Sequence, residues 1–92
     1  MKRQSEFASF LKKKRSLAGL SQKEVSEELG YSTPQFISNW ERGMSTPPIT
    51  AIKQLSNLYK ISLDEIFELL LKETVEQVTH DLKKKFYGKK AQ

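Results

Sequence analysis

Side chains able to do covalent or acid–base chemistry are scarce in this chain. Its 92 residues include no cysteine and one histidine, which removes a thiol nucleophile, a disulfide framework and any thiolate-bound zinc or iron–sulfur site. His80 is followed by Asp81, but neighbours on a helix diverge by about 100°, so the two make neither a catalytic pair nor a metal site. The sequence shows no Ser-His-Asp arrangement, no glycine-rich phosphate loop and no metal-spaced cluster. It is therefore read as no enzyme, with no catalytic residue, no metal and no cofactor. What it does offer is the chemistry of recognition. Ser21 and Gln22 stand at a helix start, where free N–H groups and the positive dipole end favour an anion.

Sixteen Lys and Arg against eleven Asp and Glu give a net charge of +5. A mild basic excess suits a polyanionic partner but is common among soluble proteins, so the local pattern says more. Residues 64–81 carry six acidic groups against Lys72 alone, and residues 83–92 carry five lysines and no acid. The C-terminal third is thus an acidic stretch followed by a basic tail. The longest apolar run, Leu69-Leu70-Leu71, falls far short of the about 20 residues a membrane span needs. No apolar stretch follows Met1-Lys2-Arg3, which argues against a secretory signal. The expectation is a small cytoplasmic protein with no membrane partner.

The recognition groups must be carried by helices. Apolar residues recur at helical spacing and no stretch alternates cleanly, so the fold is read as all-α. Phe7, Phe10, Leu11 and Leu17 mark a first helix ending by Ala18-Gly19. Ser21 and Glu24 form a capping box that opens a second, with Val25 and Leu29 inward and Gly30 as its stop. Thr33 is expected to cap a third helix with Pro34 at its first position, Ile37 and Trp40 on its inner face and Gly43 after it. A loop from Met44 to Pro48 leads to a fourth helix with Ile49, Ile52, Leu55 and Leu58 or Tyr59 inward. Ser62 and Glu65 form a second capping box, opening a fifth helix through Ile66, Leu69 and Leu70. No proline or glycine interrupts residues 63–87, so that helix is free to reach Phe86 or Tyr87, and residues 88–92 are expected to fray.

The second and third helices, joined by a tight glycine-containing turn, form a helix-turn-helix. The identities at separated positions sharpen this. Arg15, Gly19-Leu20-Ser21-Gln22, Leu29-Gly30, Ile37-Ser38-Asn39-Trp40-Glu41-Arg42-Gly43, Pro47 and Ile61-Ser62-Leu63-Asp64-Glu65 occur in one order. Together they resemble the Xre family of phage Cro and CI-type repressors over about residues 6 to 71. One departure stands out: the Gly30–Ile37 interval is one residue longer than the family's usual spacing, and the extra residue is placed in the Tyr31–Thr33 turn.

The resemblance implies a five-helix, lambda-repressor-like domain over residues 1–71; beyond the match, the uninterrupted fifth helix and its lysines are read as a helical extension with a basic tail over residues 72–92. The resemblance also implies a sequence-specific, double-stranded DNA-binding transcriptional regulator, a repressor acting at a two-half-site operator, with the third helix in the major groove. The outward positions of that helix are then Pro34, Gln35, Ser38 and Asn39, with Phe36 at the boundary. Gln and Asn each pair with adenine N6 and N7, and Ser contacts several bases. No residue from Thr33 to Trp40 is charged, so the half-sites are expected to contain A·T pairs. Phosphate contacts are assigned to Ser21, Gln22, Thr33, Arg42, Ser45 and Thr46, with Gln22 favoured by the resemblance. Arg15 and Glu41 match positions that pair and orient the side chains near the DNA backbone. In isolation Trp40 would suit base stacking, but three residues after Ile37 it belongs to the core.

Two half-sites call for two copies. Leu71, Val75, Val78 and Leu82 follow the 4-3-4 spacing of a short coiled-coil seam, so a homodimer is expected through that stripe; the alternative is that the helix folds back and the stripe is core. The acidic flank suits an antiparallel pairing in which Glu73 or Glu76 approaches a partner's lysines. A rival reading from another class is a protein-interaction adaptor, such as an antitoxin or a complex subunit, favoured by the acidic 64–81 helix. A protein antagonist or toxin is accordingly a possible partner, while the short chain argues against a small-molecule sensor domain.

Overall fold

The computed structural model describes residues 5–88. Five helices follow in order: α1 (Glu6–Leu17), α2 (Gln22–Leu29), α3 (Gln35–Glu41), α4 (Ile49–Tyr59) and α5 (Leu63–Tyr87). There is no strand among the described residues. Residues 89–92, with Lys89 and Lys90 of the basic tail, lie outside the described part, and so does most of the stretch expected to fray. Among the described residues no helix is long and apolar enough to cross a membrane.

One face of each helix supplies a single core. Phe7 and Leu11 of α1, Val25 of α2, Ile37 and Trp40 of α3, and Ala51, Ile52, Leu55 and Tyr59 of α4 meet Ile61, in the connection before α5, and Ile66 near the start of α5. These are the i, i+3, i+4 positions that make an apolar stripe on a 3.6-residue period. Two apolar residues expected to mark inward faces do not join them. Leu17 and Ile49 are exposed, because at 100° per residue Leu17 lies roughly 100° around α1 from the Phe7–Leu11 stripe and Ile49 roughly 90° around α4 from the stripe of Ile52, Leu55 and Tyr59.

The helix ends are set by local chemistry. Ser21 accepts from the Glu24 N–H and Glu24 returns to the Ser21 N–H, completing the capping box of α2. Gly30 closes α2 at φ 84°, with the Tyr31 N–H donating to the Ser26 carbonyl at 2.9 Å; a side chain is disfavoured in that left-handed geometry. The start of α3 differs from expectation by one residue. Pro34 is the residue before the helix rather than its first member, and α3 begins at Gln35. The Thr33 hydroxyl still accepts from the Gln35 N–H at 3.3 Å, so the lengthened turn is absorbed ahead of the helix. For α5 the forward half of the second capping box forms, Ser62 accepting from the Glu65 N–H.

The far half of the chain is tied to its beginning. Ser5 caps α1 by accepting from the Ala8 N–H, and the Glu73 carboxylate then accepts from the Ser5 hydroxyl at 2.9 Å and from the Phe7 N–H at 2.9 Å. An acidic group from α5 thereby sits at the positive end of α1. Lys72 adds an exposed contact to Glu6 at 3.1 Å, and that hydrogen bond raises the Lys72 pKa. Gly43 makes room for this junction: at φ 75°, a Cβ there would lie 3.2 Å from the Ser5 Cβ. The expected boundary after Leu71 falls within a continuous helix whose contacts with α1 extend through Glu73. Beyond that point α5 projects, and the molecule measures 47 × 26 × 21 Å.

The alternative in which α5 folds back and buries its stripe is not what the structure shows. Leu71, Val75, Val78 and Leu82 are 44–55% exposed. At 100° per residue they lie roughly 120–180° around the helix from buried Ile66, and Val78 also borders the cleft between α5 and the α3–α4 loop.

Candidate nucleic-acid interface

The interface is built on the crossing of α2 and α3. Ile37 and Trp40 anchor the inner face of α3 in the core, which turns Gln35, Ser38 and Asn39 to the other side. Gln35 is exposed, and Ser38 and Asn39 are half-buried. The Gln35 amide nitrogen donates to the Asn39 Oδ1 at 2.9 Å, and an Arg42 guanidinium nitrogen donates to the same oxygen at 3.1 Å. The three side chains therefore form one row along α3. With Oδ1 engaged twice, Asn39 presents its NH2 outward as a donor, and Gln35 keeps its own amide oxygen as an acceptor.

This row was only half legible in the sequence. Gln35 and Asn39 lie four apart and share a helix face. The attachment of Arg42 was missed, although it stands three residues after Asn39, and it brings a positive charge to a face otherwise made of neutral amides and hydroxyls. Phe36 is 53% exposed and stacks beside Tyr31, ring centroids 4.9 Å apart, while Tyr31 meets Trp40 edge-on at 5.9 Å. Phe36 thus flanks the row and leans on the core through Tyr31. Pro34 and Thr33 are exposed in the turn that leads into α3.

Behind the row, a charged network fixes how the two helices meet. The Arg15 guanidinium grips the Glu41 carboxylate with Nε to Oε2 at 2.6 Å and Nη2 to Oε1 at 3.0 Å, and its Nη1 donates to the Leu20 carbonyl at 2.8 Å. The Gln22 amide nitrogen donates to Glu41 Oε1 at 2.9 Å. The side chains of Arg15 and Glu41 are 13% and 3% exposed, so this is a nearly buried, fork-shaped pair rather than a solvated surface contact. The bond to Glu41 holds the Arg15 pKa above its ordinary value. Burial pushes the neighbouring Tyr59 phenol up, and the Glu41 charge adds to it. The network joins the end of α1, the first residue of α2 and the last residue of α3 at one carboxylate. Gln22 keeps its amide oxygen and one N–H for another partner.

Ser21 is exposed beside Gln22 at the α2 N-terminus, but its hydroxyl accepts from Glu24. Ser45 and Thr46 are not brought to the α3 row. They line the cleft against α5 together with Glu73 and Glu76, whose carboxylates disfavour an anion there. Glu73 does not point along the apolar stripe toward a second copy, since it is spent on the α1 N-terminus. Among the described residues no group of three or more His, Asp or Glu is placed to hold a metal ion.

No curated protein shows a match to the chain. A family profile described as helix-turn-helix matches residues 11–66, a span that runs from core residue Leu11 to core residue Ile66 and contains both helices of the crossing, the Arg15–Glu41–Gln22 network and the Gln35–Asn39–Arg42 row. With its five helices and this profile over more than half its length, the chain belongs to the helix-turn-helix family of the Xre and Cro/CI type, a family of DNA-binding transcription regulators.

Proposed function

We propose that the protein is a repressor that binds a two-half-site operator, with α3 in the major groove, and occludes a promoter. The observation that carries this reading is the Gln35–Asn39–Arg42 row, exposed on a helix whose other face is locked in the core. Such a row presents donors and acceptors at fixed positions, as base-edge reading requires. Gln35, Ser38 and Asn39 read bases, with Pro34 and Phe36 at the groove edge. Phosphates flank the row at Gln22 and Ser21 on one side and at Thr33 and Arg42 in the turn and end of α3; Ser45 and Thr46 are left with the weakest claim. Arg15 and Glu41 orient Gln22 without touching DNA. Two copies join through the Leu71, Val75, Val78 and Leu82 stripe, so residues 1–71 read DNA and the extension from residue 72 pairs the readers.

Substitution of the row tests this. Gln35→Ala and Asn39→Ala should each weaken binding to the preferred site by about 1–3 kcal/mol and relax selectivity at one base pair. Neither should shift the melting transition appreciably, since neither side chain belongs to the core. Unchanged affinity and unchanged base preference in both variants, measured by fluorescence anisotropy on single-base site variants, would remove base reading from α3.

A further inference from the structure

The exposed face of α5 says how two copies meet. Leu71, Val75, Val78 and Leu82 are its centre, and Phe67 and Phe86 extend it to both ends, 56% and 79% exposed. In heptad terms Leu71 and Val78 take d positions and Val75 and Leu82 take a positions. The next seam position before Leu71 is Glu68, and the next after Leu82 is Lys85; both are exposed and neither has an ion-pair partner among the described residues. The seam therefore ends in a negative charge on one side and a positive charge on the other.

Orientation decides whether that is an asset. Two parallel helices would set Glu68 against Glu68 and Lys85 against Lys85, a repulsion at each end of a four-residue apolar seam. Two antiparallel helices in the register that places Val75 opposite Val78 set Leu71 opposite Leu82, with Phe67 and Phe86 level along the pair on opposite flanks of the seam. The same register places Glu68 of each copy opposite Lys85 of the other, twice over by symmetry. We propose that the protein self-associates through α5 in this antiparallel register, with Glu68–Lys85 layers closing both ends of the seam. This rests on the two-copy reading above and adds its geometry. The Ile66 positions, where each body joins its own α5, then lie about 30 Å apart along the pair at 1.5 Å per residue, close to the separation of half-sites one helical turn apart, about 34 Å. The bond of Glu73 to the α1 N-terminus holds each body in register on its helix, so the pairing sets the distance between the two α3 rows.

Charge exchange in the full chain separates the outcomes, with self-association followed by sedimentation equilibrium. Glu68→Lys alone should weaken the dimer by roughly tenfold or more, because each of two layers passes from attraction to repulsion. Lys85→Glu alone should do the same. Glu68→Lys combined with Lys85→Glu restores opposite charges in both layers and should return the dissociation constant to within about threefold of the starting protein. A dimer whose strength is unmoved by either single exchange, or not restored by the double exchange, overturns the antiparallel register while leaving two-copy binding in place. A starting protein that stays monomeric at every concentration and also when bound to DNA overturns the two-copy reading itself, and this inference with it.

Discussion

Replacing Trp40 by alanine should cost about 3–5 kcal/mol of folding stability, the largest effect expected of any single substitution in the molecule. Its side chain is 3% exposed and shares the core with residues from all five helices. It also meets Tyr31 edge-on, and Tyr31 in turn supports Phe36 beside the candidate reading row. Removal of the indole leaves a cavity under α3 that the short helix, seven residues long, can collapse into only by moving the row it carries. A loss of this size in a chain of 92 residues lowers the melting temperature by on the order of 15 °C or more. A cooperative thermal melt close to that of the unaltered protein would show that the indole does not hold α3 in place.

Removal of Arg15 should come next in size. Arg15→Ala leaves the Glu41 carboxylate, 3% exposed, with the Gln22 amide as its remaining partner. Breaking a buried pair by removing one member costs about 3–5 kcal/mol, and the residual 13% exposure of Arg15 places this site at the low end, about 3 kcal/mol. Replacing both members with apolar residues of similar volume, Arg15→Met with Glu41→Leu, should recover much of that stability, because no charge is then left buried. DNA binding should separate the two effects. The double variant folds but no longer fixes Gln22 at the start of α2, so its affinity for DNA stays reduced while its melt is nearly restored. Urea titration of the single and double variants, with anisotropy on the same samples, reads both. An Arg15→Ala protein as stable as the unaltered one would mean that the pair is an exposed contact of little consequence.

The fold was legible where local rules act alone. Helix count, the capping box at Ser21 and the inward phase of Ile37 and Trp40 all follow from spacings within one turn or two. Departures arose at helix ends. Leu17 and Ile49 are apolar, but each stands roughly 90–100° out of phase with the buried stripe of its own helix and is exposed. Pro34 fits a first helical position in isolation, but the lengthened turn delays α3 by one residue. At the candidate site, residue types were legible and their bonding was not. Nothing in the sequence says that Asn39 accepts from both Gln35 and Arg42, since either residue could equally turn to water. The capping of α1 by Glu73 joins residues 68 and 66 positions apart, a separation over which no local pattern operates. That contact also removes Glu73 from the pairing expected for the acidic flank, since its carboxylate is committed to α1.

Selection of bound fragments from random double-stranded DNA by the full-length protein tests the central claim most directly. The account predicts enrichment of an inverted repeat whose two half-sites contain A·T pairs and are centred about one helical turn, 10–10.5 base pairs, apart, with preference at one half-site position relaxed in Gln35→Ala. Recovery of no enriched sequence from a folded protein would contradict it and leave the protein-interaction adaptor as the surviving reading.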